Sequence, residues 1–332
     1  MKFIRYISLS FLTSMFISFP LSAETYYYWG DATNGSMPIF PASAWSSSSS
    51  EYVAIPENAN VNSPDANWVF DYNAHLPTAA RKEGIYFNIA NQSFLNIASL
   101  SIINFNYAST EYISGGSTVS GADAKTLFIS NSTNAYWSIG EFTFTGGSSN
   151  KMLVLGSARQ NVNQPEVTLG TVNIGNEGAY AEIQIGGDAA GVCKMTQGDN
   201  IGQDVTMQES ACMKYLTVTG DFNIYGNSIV GLNVWNEDTS ALHSENSPDI
   251  LVGGVVRMTA SSDGKLPTLN LLNRVGTISW SATKPAPGAT NTFVKIGGLD
   301  GRGNLSNQSR TLDASTVKLI FTNKEDCDFS GT

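Results

Sequence analysis

One pattern limits what this 332-residue chain can fold into: a short alternating strand, a glycine, and a second short alternating strand, repeated along the sequence. In residues 137–144, Trp137, Ile139, Phe142 and Phe144 alternate with Ser138 and Thr143 around Gly140. Residues 167–174 and 216–224 repeat it around Gly170 and Gly220. Residues 250–258 form a looser copy around Gly253 and Gly254, and residues 97–102 read as an earlier copy without the glycine. Apolar side chains alternating with Ser, Thr and Asn give each strand one buried and one wet face. The glycines mark bends where a Cβ is not tolerated.

Between these units lie single alternating strands at 127–129, 152–155, 181–185, 232–234 and 269–271. The glycines at 140, 170, 220 and 253 are separated by steps of 30, 50 and 33. A stack of coils tolerates such unequal steps, because insertions enter the loops while the strands keep their places. The predicted fold is therefore all-β, a right-handed parallel β-helix (solenoid) with an irregular N-terminal cap. The alternative built from short alternating strands is a β-sandwich or jelly roll.

Composition supports an all-β chain and excludes several functions. Only 14% of residues are charged, against about 25% in ordinary soluble domains, and strong helix formers are scarce. A net charge of −10 excludes nucleic acid and anionic membrane surfaces as partners. Two histidines and three cysteines leave little material for a metal centre or a His-based catalytic site, and no cofactor is expected.

Residues 1–23 have the layout of an export signal: Lys2 and Arg5, an apolar stretch, then Pro20 and the small Ala23. The apolar stretch is too short to span a bilayer, and no later stretch qualifies as a transmembrane helix. Residues 24–83 form an aromatic, Pro- and Ser-rich cap, 84–292 the coils, and 293–332 a final repeat-like segment. Within the cap, Trp29, Trp45 and Trp68 are candidates for stacking on a glycan; the competing reading is that they cover the open end of the stack. In an exported protein Cys193 and Cys212 can form a disulfide, and the equal alternative is three small buried apolar residues.

Asp188, Asp199, Asp204 and Glu209, with Lys194 nearby, fall in the long polar insertion 186–211. Clustered carboxylates can act as acid and base on a polysaccharide or hold a metal ion; the plainer reading is a solvated loop. Glu237, Asp238, Glu245 and Asp249 around His243 form a second acidic patch of the same standing, and His75 reads as structural. Residues 297–303 lack the helix and acidic partner of a dinucleotide site.

The C-terminal stretch carries a family resemblance. Gly297, Gly298, Leu299, Gly301, Gly303 and Leu305 are followed by the alternating strand 317–323 and then by Phe329, Ser330, Gly331 and Thr332. This resembles the autotransporter-associated β-strand repeat, over about residues 293–332. The resemblance implies a passenger-type β-helix exported to the bacterial surface or released, with a C-terminal translocator or anchor that this sequence lacks. The expected function is a non-enzymatic surface or secreted scaffold for adhesion to an extracellular glycan, matrix or cell-surface ligand, located at the outer membrane or outside the cell. The alternative is a polysaccharide-degrading or glycan-binding β-helix with its site in the 186–211 insertion.

Overall fold

The computed structural model describes residues 23–29, 36–37, 42–71, 86–88, 94–105, 111–114, 117–120, 128–130, 136–146, 153–155, 166–177, 180–185, 192–195, 204–206, 215–232, 244–271, 292–306, 317–322 and 324–331. Among these the chain is all-β, with a single 3-10 turn at Ala42–Ala44 as its one helical element.

Two parallel ladders dominate. The first runs from Glu24–Tyr28 through Ala66–Asp71, Phe94–Phe105, Tyr136–Gly146, Glu166–Ile174, Tyr215–Val218 with Phe222–Tyr225, and Ile250–Thr259 to Thr292–Ser306. Val317–Phe321 and Phe329–Gly331 add the last rung. The second joins Leu153–Leu155, Glu182–Ile185, Ile229–Leu232, Thr268–Leu271 and the end of Thr292–Ser306. From Tyr136–Gly146 to Thr268–Leu271 the rungs alternate between the two ladders, strands of the first being followed by one short strand of the second. Parallel pairing throughout both ladders differs from the antiparallel pairing of a sandwich or jelly roll.

Register turns the sequence repeat into rows. Trp68, Leu100, Phe142, Val172, Phe222, Val256 and Leu299 are successive partners across seven rungs, and all are buried. Leu95, Trp137, Val167, Leu216, Ile250 and Val294 make a second such row. Ile183, Val230 and Leu269 stack in the second ladder. Burying each of these side chains is worth roughly 1.5–3 kcal/mol, so the core is a set of apolar columns built from one residue per rung.

The glycines earn their places by proximity. Gly140, Gly170, Gly220, Gly254 and Gly297 form a lane down the long-strand sheet, with Ala98 at its start. A Cβ on Gly140 would stand 2.5 Å from the Ala98 carbonyl oxygen, and one on Gly254 2.5 Å from that of Gly220. Here the alternation also slips by one residue: Gly140 and Glu141 both face outward, so Ile139 and Phe142 both face inward. A second use of glycine lies at the strand ends, where Gly146, Gly175 and Gly226 have φ of 101°, 75° and 66° and turn the chain away from the first ladder. Asn104, at φ 57°, does so for its rung.

The cap belongs to the same sheet. Glu24–Tyr28 pairs in parallel with Ala66–Asp71 and antiparallel with Trp45–Ser46, which ends the ladder. Glu111–Ser114, Ser117–Ser120, Val192–Met195 and Asp204–Thr206 form a separate antiparallel sheet, from excursions that leave two different rungs.

Candidate functional site

Two of the three tryptophans considered for glycan stacking are core residues. Trp45 is 0% and Trp68 1% exposed; their rings pack 4.9 Å apart, and the Trp68 indole N–H donates to the Val61 carbonyl at 2.7 Å. Tyr28 and Phe70 complete the cluster, both within 5.5 Å of the Trp45 ring. A ring enclosed on every side has no face for a sugar, so the glycan-stacking expectation is corrected for both. These rings fill the end of the apolar columns, where no further rung among the described residues supplies side chains. Trp29 is half-buried, with its ring 6.0 Å from that of Tyr52.

Of the acidic insertion, Asp188, Asp199 and Glu209 lie outside the described residues, as do Cys212, His75, His243, Glu237 and Asp238. Asp204 is placed in a strand antiparallel to the one that holds Lys194, directly across from it, and Cys193 stands across from Val205. Lys194 is also across from Ser120, itself across from Glu111, so Glu111, Ser120, Lys194 and Asp204 share one cross-strand line.

The second acidic patch divides. Asp249 is buried and its carboxylate accepts the Phe293 N–H at 2.8 Å, which is a rung-to-rung tie. Glu245 is exposed and pairs with Lys318; the hydrogen bond from that ammonium, and then its charge, holds the Glu245 carboxyl below its ordinary range. Among the described residues no group of three or more His, Cys, Asp or Glu is placed to hold a metal ion, and no helix is long and apolar enough to cross a membrane.

The wet face of the long-strand sheet contains the most ordered polar array. Past the glycine lane the side chains are bonded to one another. The Asn223 amide donates to Asn173 at 2.9 Å, and the Asn173 amide donates to Glu141 at 3.0 Å. Arg257 continues this row, donating to Asp300 at 3.0 Å and Asp221 at 3.4 Å and pairing with Glu325. Asp221 also accepts the Val255 N–H at 2.9 Å. Cys327 lies beside this hub, where local desolvation and then the Asp300 and Glu325 carboxylates push its thiol up, away from thiolate chemistry.

Before the glycine lane the face differs. Ser138, Thr168 and Thr217 are successive partners and half-buried. One row further out, Tyr136, Glu166 and Tyr215 are successive partners, and Tyr136 is 53% exposed. Sequence reading missed this row, because its members come from different repeat units separated by unequal loops. The sole signal was that each sits one residue before a copy of the alternating motif.

The chain gives no significant match to any protein-family model, any curated protein or any solved structure.

Proposed function

We propose that this chain is an exported, non-enzymatic scaffold of the passenger type, displayed at the outer membrane or released, that contacts extracellular glycan, matrix or cell surfaces. In this reading the two parallel ladders are faces of a right-handed β-helix, residues 1–23 are a cleaved signal, and 293–332 is an autotransporter-associated repeat. The observation that carries it is the continuous parallel pairing from Glu24–Tyr28 to Thr292–Ser306, with a wet face of Ser, Thr, Asn and Tyr over an apolar interior. Such a stack is rigid and long, and it exposes short polar side chains at a fixed spacing. The C-terminal glycine and aromatic-Ser-Gly-Thr pattern supports the passenger assignment.

The test is a deletion strain compared with wild type for attachment to glycan- and matrix-coated surfaces, together with external protease on intact cells. The expected result is weaker attachment on deletion and loss of the wild-type protein to external protease. Unchanged attachment with full protection from protease overturns the reading. The second reading, polysaccharide cleavage in the insertion, draws on the Lys194 and Asp204 register. Release of reducing or unsaturated ends from a polysaccharide panel by the purified protein, abolished in Lys194→Ala, would establish it instead.

A further inference from the structure

We infer that the row Tyr136, Glu166, Tyr215, with the hydroxyl row Ser138, Thr168, Thr217 beside it, is a binding site for an extended β-1,4-linked glycan chain lying across the rungs. The inference deepens the adhesive reading and rests on it, by naming a ligand class and a place on the wet face.

Spacing is the first argument. Tyr136 partners Glu166 and Glu166 partners Tyr215, so the two phenol rings stand two rungs apart. Rungs of a parallel sheet are about 4.8 Å apart, which separates the tyrosines by roughly 9.6 Å. That distance is close to the two-sugar repeat of an extended β-1,4 chain, in which alternate rings turn over and present the same face every second residue. A coiled α-1,4 chain has no such repeat along a straight line.

Chemistry is the second. The C–H face of a pyranose carries slight positive charge and meets the negative face of an aromatic ring, which is how an exposed tyrosine engages a sugar. Tyr136 is one of a few large apolar side chains exposed among the described residues. The sugar between the two stacked ones would lie at the Glu166 rung of the same row. Ser138, Thr168 and Thr217 supply one hydroxyl per rung on the inner side, each able to donate and accept. They contrast with Asn173, Asn223 and Glu141 beyond the glycine lane, whose polar groups are engaged with one another.

Shape is the third. Gly140, Gly170 and Gly220 border the hydroxyl row and project no side chain, so low relief follows that row on the Glu141 side. A flat, ribbon-like chain can lie along such a surface.

The experiment is calorimetric titration of the purified full chain with cellohexaose and with maltohexaose, which differ in linkage geometry alone. The expected result is binding of cellohexaose, affinity rising from di- to tetrasaccharide and levelling beyond it because the row spans three rungs, and no binding of maltohexaose. Tyr136→Ala and Tyr215→Ala should each weaken it about five-fold, while Tyr136→Phe and Tyr215→Phe stay within about two-fold because the ring is retained. Circular dichroism confirms folding of each variant. No binding of cellohexaose at millimolar concentration, equal binding of maltohexaose, or affinity unchanged in the double alanine variant overturns the site. Attachment of cells producing the double alanine variant separates the two levels. Wild-type attachment overturns this site and leaves the scaffold reading standing, whereas a deletion strain that attaches normally overturns the scaffold reading itself.

Discussion

The carbonyl oxygen of Gly140 occupies the space in which a Cβ on Gly170 would stand. The obstacle is backbone of the neighbouring rung, which cannot rotate away as a side chain would. Gly170→Ala should therefore destabilise the fold by about 2 kcal/mol or more, through overpacking of a well-paired sheet. Urea unfolding followed by circular dichroism checks this. A neutral or stabilising result, as expected for alanine on an unobstructed strand, would show that the rungs are further apart here.

Phe142 is fully buried between Leu100 and Val172 in its row. Phe142→Ala should cost about 3–5 kcal/mol, the range for a large aromatic removed from a packed interior. Its outward neighbour Thr143 should tolerate alanine within about 0.5 kcal/mol. The contrast between adjacent residues, measured by denaturant unfolding, tests the assignment of inward and outward faces.

Arg257 touches three carboxylates, yet about a third of its side chain meets solvent. Exposed pairs of this kind contribute little, so Arg257→Met should change stability by no more than about 1 kcal/mol, and less still in high salt. Asp221→Ala should cost at least as much as Arg257→Met, because it also removes the acceptor of the Val255 N–H. Thermal unfolding at low and high ionic strength distinguishes the two.

The Tyr26 phenol donates to the Glu24 carboxylate and is largely enclosed; burial first, then that hydrogen bond and charge, push its ionisation from 10.0 up to about 12. The folded state favours the neutral phenol. Its contribution to stability is therefore complete below pH 10 and is lost as pH rises from 10 through 12. Alkaline difference spectroscopy at the phenolate band should show a late-titrating tyrosine that becomes ordinary in Glu24→Gln.

At the opposite end of the pH scale, the Ser261 hydroxyl and then Lys265 hold the Asp263 carboxyl at about 2. That contribution is present above the ordinary carboxylate value and is lost as pH falls through 2. Carboxyl NMR titration of Asp263 checks it, and Ser261→Ala should move the midpoint upward.

Much of the architecture was legible because its signal is local. Alternation around Gly140, Gly170 and Gly220 marks a rung without knowledge of its partner, and the copy lacking glycine at 97–102 proved to place Ala98 at the head of the lane. Pairing decides what local reading cannot. Of two adjacent glycines, Gly254 aligns with Gly220, each two residues past the paired Val252 and Val218, while against the next rung the strand carries one residue more between Val252 and Val255. The structure places a strand at Ile229–Leu232, beginning before the one expected at 232–234: Gly231 resembles a turn residue in sequence yet pairs within the ladder, and residues 233–234 lie outside the described residues. Aromatic character did not distinguish Trp45 and Trp68 from surface rings, as burial depends on what ends the column. The Tyr136, Glu166 and Tyr215 row needed register across loops of different length, which the sequence of one rung does not contain.

Any stack of strands invites further strands at its ends, and fibrils grow by that route. At the N-terminal end here the outermost strand, Trp45–Ser46, is two residues long and runs against its neighbour. Its outer flank is bridged by Ala54, and the Ser46 hydroxyl accepts the Ser48 and Val53 N–H groups at 3.0 Å. Among the described residues, Trp45–Ser46 offers an incoming chain little open backbone to copy. The protein thus uses the geometry of a fibril while denying one of its ends the means of propagation.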